Sequence, residues 1–212
     1  MKKVLLIVTA LVVSVTYVSA QWDTAGLRLK YLKPAPALAG TGLVAVGSMA
    51  SINPVVNSLA VALRDKVVRA NLPKLHFDDY IQYLPAAAPW VMSLCGVRPR
   101  HSYGRLFMLE GGSYLLGAGW VNAVKYGWAL SRPDGSNYNS FPSGHTFVAF
   151  AGAELLRREF GDEYPWIAVA GYMVATAVAL MRVYNNRHWV GDVMAGAGIG
   201  LLSVTLVYWA LD

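Results

Sequence analysis

Apolar residues in this chain gather in long blocks separated by short polar stretches, with little of the alternation that marks a half-buried strand. The densest blocks are residues 106–124, 165–181 and 193–211. Each is close to the roughly twenty residues at which a helix covers the ~30 Å of a bilayer core. Pro165 stands at a favoured first helical position. Pro85 and Pro89 predict a kink in the apolar stretch 80–97. Residues 146–156 cover only about 17 Å as a helix, too little to span unless the flanking residues stay helical. Residues 34–51 are diluted by Gly, Ala and Ser and are barely hydrophobic enough to span. Spanning, lying on the surface and packing into a bundle are all open to them. Arg64, Asp65, Lys66, Arg69 and Lys74 predict an amphipathic surface helix or loop. The expected fold is all-α, a membrane-embedded helical bundle of about five to six apolar helices.

The start of the chain reads as an address. Met1-Lys2-Lys3 is basic, residues 4–18 are apolar, and Ser19-Ala20 places small residues before Gln21. That is the pattern of a cleavable signal peptide, with an uncleaved anchor as the alternative. The expected organisation is therefore 1–20 as signal or anchor, 21–79 as a lead with amphipathic or weakly apolar helices, and 80–212 as the helical functional domain.

Composition sharpens the membrane reading. Apolar residues make up 56% of the 212 and charged residues only 14%, against about 25% charged in soluble domains. The net charge of +6 is modest and its basic residues form no stripe, so nucleic acid is not an expected partner, whereas phosphate-bearing substrates and membrane surfaces are. Cys95 stands alone, which rules out an intramolecular disulfide, and is expected to be a small buried hydrophobe. The histidines His76, His101, His145 and His188 have no paired metal-ligand spacing, and the acids are not clustered as ligands. No metal and no cofactor are expected. Arg98, Arg100 and Arg105 in one turn and Arg157 and Arg158 in another fall on one side of the bundle when residues 80–97 are counted as the first span. The positive-inside rule then places those turns in the cytoplasm and the opposite turns outside.

Those opposite turns carry the chemistry. Phosphate ester cleavage needs cations on the phosphoryl oxygens, a nucleophile in line and an acid for the departing oxygen. Lys125, Arg132 and Arg182 are candidates for the cations, and an arginine fork pairs two phosphate oxygens at once. Pro142-Ser143-Gly144-His145 precedes an apolar helix, so Ser143 can cap it and Gly144 lets an anion approach the free amides. His188 and Asp192 are four residues apart and would share a helical face, the carboxylate fixing the imidazole tautomer and freeing the other nitrogen to attack. Each feature alone has an ordinary reading: snorkelling cations, a turn with a surface histidine, an aspartate that only caps the last helix. In combination they converge, because an antiparallel helix pair returns the chain from His145 to Arg182, and residues 106–124 deliver Lys125 to the same end.

At these residues the sequence strongly resembles the type 2 phosphatidic acid phosphatase superfamily, whose signature is Lys, six residues, Arg-Pro; then Pro-Ser-Gly-His; then Ser-Arg, five residues, His, three residues, Asp. Lys125, Arg132-Pro133, Pro142 to His145, Arg182, His188 and Asp192 match it, while Met181 stands where the family has its third-motif Ser. The resemblance implies His188 as the nucleophile, Asp192 as its orienting partner, and His145 as the acid that later activates water. It implies that Lys125, Arg132, Arg182, Ser143 and the Gly144 amide hold phosphate. The implied activity is metal-independent hydrolysis of a phosphomonoester or pyrophosphate through a phosphohistidine. The implied substrate is a phosphorylated lipid: phosphatidic acid, phosphatidylglycerol phosphate, a polyprenyl pyrophosphate or phosphorylated lipid A. The expected location is a bacterial inner membrane with the site facing the periplasm. The alternatives are a soluble periplasmic acid phosphatase of broad specificity and a non-catalytic phospholipid-binding membrane protein; a pure binder would need the cations but no nucleophile.

Overall fold

The structure, a computed structural model, describes residues 34–71 and 73–212, so the signal or anchor at 1–20 and the polar lead up to Lys33 lie outside the described residues. Those described contain eight helices and no strand. They are α1 (Pro34–Ile52), α2 (Pro54–Ala70), α3 (Asp78–Ile81), α4 (Leu84–Leu94), α5 (Tyr103–Trp128), α6 (Gly144–Phe160), α7 (Pro165–Tyr184) and α8 (Val190–Leu211). The all-α expectation holds. Three of them, Ala35–Ile52, Pro165–Tyr184 and Val190–Leu211, are long and apolar enough to cross a membrane, and the chain is a membrane protein.

α8 is the axis. It packs against α1, α5 and α6, and 83% of its apolar window is buried inside the protein. Its Gly, Ala and Ser content explains how three helices approach it so closely, since small residues let backbones meet where lipid supplies no hydrophobic drive. A Cβ added at Gly198 would lie 2.5 Å from the Gly40 carbonyl oxygen, and one at Gly47 would lie 2.5 Å from that of Gly191. The two contacts run antiparallel and register α1 on α8. Residues 34–51 thus pack into the bundle, and the packing extends N-terminal of residue 80.

α6, in contact with α4, α7 and α8, is longer at both ends than its apolar core. At 17 residues it reaches about 25 Å, more than the stretch 146–156 alone but still short of a bilayer core, and it is not one of the three helices fit to cross a membrane. The region 80–97 differs from expectation. It is not one kinked span but the short helix α3 followed by an 11-residue α4 that has Pro85 in its first turn, contains Pro89 and stops before Gly96, whose φ of 87° suits glycine. Cys95, expected to be buried, is exposed in the same turn. α2 carries Arg64, Asp65 and Arg69 as expected, with Arg64 paired to Asp65 at 2.8 Å.

The end of the bundle formed by the start of α5 and the end of α6 is tied by polar contacts. Glu154 accepts hydrogen bonds from Arg157, Arg158 and Tyr172. Glu159 pairs with His101 Nδ1 and accepts from the Tyr208 hydroxyl, and the Arg100 amide donates to the Glu159 carbonyl at 3.0 Å. The two basic turns therefore share one end, although Arg157 and Arg158 are spent on Glu154.

The close α1–α8 packing gives a direct test. Gly198→Ala has to displace the α1 backbone and is expected to cost about 2 kcal/mol, lowering the melting temperature in detergent by about 4–8 °C. At Gly42 a Cβ meets no atom within 4 Å, so Gly42→Ala is expected to be neutral or slightly stabilising. Equal melting temperatures for the two variants would refute the glycine-mediated register.

Candidate active site

At the other end of the bundle, the end of α5, the start of α6, the end of α7 and the start of α8 converge. α5 closes at Ala129 in a left-handed conformation (φ 42°), with Lys125 in its last turn donating to the Asn139 carbonyl at 2.7 Å. The loop from α5 to α6 folds back on itself. Ser140 N–H donates to Leu130 O and Arg132 N–H to Asn137 O, both at 2.9 Å. Phe141 packs edge-on against Trp128 with ring centroids 4.8 Å apart. The Trp189 indole donates to Ser131 O at 3.0 Å, pinning this loop to the start of α8.

Ser143 caps α6. Its hydroxyl accepts from Thr146 N–H at 3.4 Å and from the Thr146 hydroxyl at 3.0 Å, and the residue has no exposure. The capping expectation is met. These two bonds use the hydroxyl as an acceptor, so its own O–H and the neighbouring amides are the groups this turn can offer an anion. A Cβ at Gly144 would meet nothing within 4 Å, so the space beside this residue is open.

His188 and Asp192 do pair, Nδ1 to Oδ2 at 3.3 Å, but not on one helical face. His188 lies in the turn before α8, and Asp192 is in that helix's first turn. Asp192 Oδ2 also accepts from Trp189 N–H at 2.9 Å and from the Ser140 hydroxyl. One carboxylate therefore both caps α8 and orients the imidazole, so the two readings of the sequence hold at once. His188 Nε2 is left to face the site.

The cations surround this pair. Lys125, Arg132 and Arg182 are close enough to repel one another, and both Lys125 and Arg132 are attracted by Asp192. The Nε atoms of Arg132 and Arg182 are buried without a hydrogen-bond partner, as is Asp192 Oδ1. Unmet buried donors of this kind are what an oxyanion would satisfy. Arg187, a fourth cation in the neighbourhood, is engaged by Asp134 at 3.2 Å. Among the described residues no group of three His, Cys, Asp or Glu is placed to hold a metal ion.

Several contributors were not singled out in the sequence. Arg182 Nη1 donates to Asp78 Oδ2 at 2.7 Å and to Asp79 Oδ1 at 3.0 Å, and Asp79 Oδ1 also meets His145 Nε2 at 2.8 Å. Asn185 holds the approach to α3 by bonding both the N–H and the carbonyl of Leu75. The available signal was the Asp78-Asp79 doublet itself, in a chain with only 12 acids.

Burial pushes His188 down to about 4, with Lys125 and Arg182 adding to the effect and Asp192 opposing it. His145 also lies below its ordinary 6.5, first through burial and then through Arg182, against the pull of Asp79 and Asp78. For Asp79, burial acts upward, but His145 and Arg182 prevail and hold it below the usual carboxylate value.

Comparison with known proteins agrees with this geometry. Residues 120–212 match the family model of the PAP2 superfamily. The chain is 43% identical over 136 residues to a lipid A 1-phosphatase of Porphyromonas gingivalis, covering 64% of this chain and 31% of that protein. It is 38% identical over 76 residues to a lipid A 1-phosphatase of Helicobacter pylori, covering 35% of this chain and 37% of that protein. The chain thus spans about a third of the length of these curated relatives. In fold it is similar to the crystal structure of a transmembrane PAP2-type phosphatidylglycerolphosphate phosphatase from Bacillus subtilis. That match has a TM-score of 0.51 at 20% identity and covers 80% of this chain and 94% of the other.

The cation cluster is expected to bind a tetrahedral oxyanion. Vanadate or inorganic phosphate at about 100 times its Kd should stabilise the protein by about 2.7 kcal/mol. Arg132→Ala should abolish most of that thermal shift. An unchanged shift in Arg132→Ala would place the anion elsewhere.

Proposed function

We propose that the protein, whose residues 120–212 match the family model of the PAP2 superfamily, is a metal-independent lipid phosphatase working through a phosphohistidine. The observation that carries this reading is the buried His188–Asp192 pair within a ring of three cations, at the end of a bundle with apolar, membrane-crossing helices. His188 Nε2 attacks phosphorus. The P–O bond to the leaving group breaks as the N–P bond forms, and the departing oxygen takes its electron pair and a proton from His145. Water then attacks the phosphohistidine, giving a proton to His145, and inorganic phosphate leaves with His188 restored. Lys125, Arg132, Arg182 and the Gly144 amide meet the charge on the phosphoryl oxygens throughout.

Among phosphorylated lipids we favour the 1-phosphate of lipid A, because that is the substrate named for the relatives from P. gingivalis and H. pylori. A site facing the periplasm is supported by Arg98, Arg100 and Arg105 lying toward the opposite end of the bundle. The membrane-crossing helices favour this reading over a soluble acid phosphatase, and the intact nucleophile favours it over a pure lipid binder.

In detergent with EDTA present, purified protein is expected to release phosphate from lipid A faster than from phosphatidic acid, a polyprenyl pyrophosphate or an aryl phosphate. His188→Ala should reduce release by about 10³-fold or more. Best activity on the aryl phosphate would favour the broad acid phosphatase, and binding of lipid A without release from any substrate would favour the non-catalytic reading.

The pH profile of kcat/KM is expected to be a bell lying on the acid side of neutrality. His188 has to be neutral, so activity is lost as pH falls through about 4. His145 has to be protonated, so activity is lost as pH rises through a value below its ordinary 6.5. A rate that climbs steadily into alkali would contradict these roles.

A further inference from the structure

The geometry points to a second carboxylate–imidazole pair in this site: Asp79 is a positioning residue that keeps His145 protonated and aimed as the acid. This rests on the phosphatase reading and adds a residue well upstream of the stretch that matches the family model, residues 120–212. His145 Nε2 lies 2.8 Å from Asp79 Oδ1. With that nitrogen engaged, Nδ1 is the one left to give a proton to the substrate, just as His188 uses Nδ1 for Asp192 and keeps Nε2 free.

Asp79 is held in place rather than swinging from a loop. Its neighbour Asp78 is 1% exposed and bonded to Arg182 at 2.7 Å and to Asn185 at 3.2 Å. The Gln82 side chain donates to the Asp79 carbonyl at 2.8 Å, and the Tyr184 hydroxyl donates to Pro73 O at 3.1 Å. α3 is thereby fastened to the end of α7, and the Asp79 carboxylate is presented to His145 and Arg182 together. The charged groups acting on His145 are Asp79 and Asp78 from α3 and Arg182 from α7; Lys125 on α5 and the His188–Asp192 pair at α8 complete the surroundings. Burial and Arg182 both disfavour the imidazolium, and the two aspartates oppose them. Without Asp79 the acid would lose its proton at a lower pH.

The catalytic consequence is specific. In the first step the proton on Nδ1 moves to the leaving oxygen as its P–O bond breaks, and the imidazole is left neutral, keeping its Nε2 proton and donating it in the hydrogen bond to Asp79. In the second step Nδ1 takes the proton from the attacking water. A leaving group that is stable as an anion needs no such proton, whereas an alkoxide does.

The test compares wild type, Asp79→Asn and Asp79→Glu on a lipid phosphomonoester and on 2,4-dinitrophenyl phosphate, with His145 titrated by NMR in each. For Asp79→Asn, kcat on the lipid ester is expected to fall about 10- to 100-fold, with less than about a threefold change on the dinitrophenyl ester. The alkaline limb and the His145 titration should both move to lower pH. Asp79→Glu, which keeps the charge, should recover much of the loss. Equal losses on both substrates with an unmoved His145 titration would assign Asp79 a merely structural role. Tighter inhibition by phosphate or vanadate with undiminished kcat would make it a competitor for the phosphate site instead. If wild type hydrolyses neither ester, the phosphatase reading itself fails; the NMR titration still shows whether Asp79 controls His145.

Discussion

A carboxylate removed from water is costly unless donors surround it, and Asp192, with no exposure, meets that requirement at Oδ2 while its Oδ1 is left without a partner. The donors come from three places: the Trp189 amide at the start of α8, the Ser140 hydroxyl in the loop before α6, and the ring of His188. The Asp192 backbone carbonyl in turn accepts from Ser143 N–H at 2.9 Å, joining the starts of α6 and α8. One side chain therefore fixes a helix end, a loop and an imidazole relative to one another. Loosening any of them disturbs the other two.

Charge in the bundle is sorted by end. At the end bearing His145 and His188, Arg132 and Arg182 each keep a buried Nε without a partner even though Arg182 also pairs with Asp78 and Asp79, while Arg157 and Arg158 at the far end are neutralised by Glu154. The guanidinium of Arg158 also lies 4.9 Å from the centroid of the Tyr208 ring. Arginine thus has two parts here: at one end two guanidinium groups keep a buried Nε without a partner, at the other the groups are satisfied within the fold.

Much of this was legible in the sequence because the signals were local. Pro165 marked the start of α7, unbroken hydrophobicity marked α8, and the spacing of Lys125, Arg132, His145, Arg182, His188 and Asp192 named the candidate residues that the fold brings to one end of the bundle. What failed to show depended on distant packing. Residues 34–51 gained their place through contact with glycines more than 140 positions away, as in the Gly47–Gly191 approach. The break between α3 and α4 followed from Pro85 opening a new helix instead of bending an old one. His188 lay outside the helix it was expected to share with Asp192, because the cap of α8 falls between them. Asp79 was invisible for the same reason as α1: nothing in its neighbourhood refers to His145, 66 positions further on.

The pairing of α1 with α8 has a consequence for how the protein is made. These helices stand at opposite ends of the described chain, and their register depends on backbones meeting at glycines that offer no alternative partner nearby. Contacts so far apart in sequence are slow to form, since a long loop has to be closed before they return any stability. During synthesis α1 is made well before α8 exists, so its glycine face lacks that partner until the last helix is complete. The site at the head of α8 cannot assemble until that helix has been threaded between α1, α5 and α6. Completion of the active centre is thus a late event in biogenesis, and a chain that has not yet made α8 is a bundle without an axis.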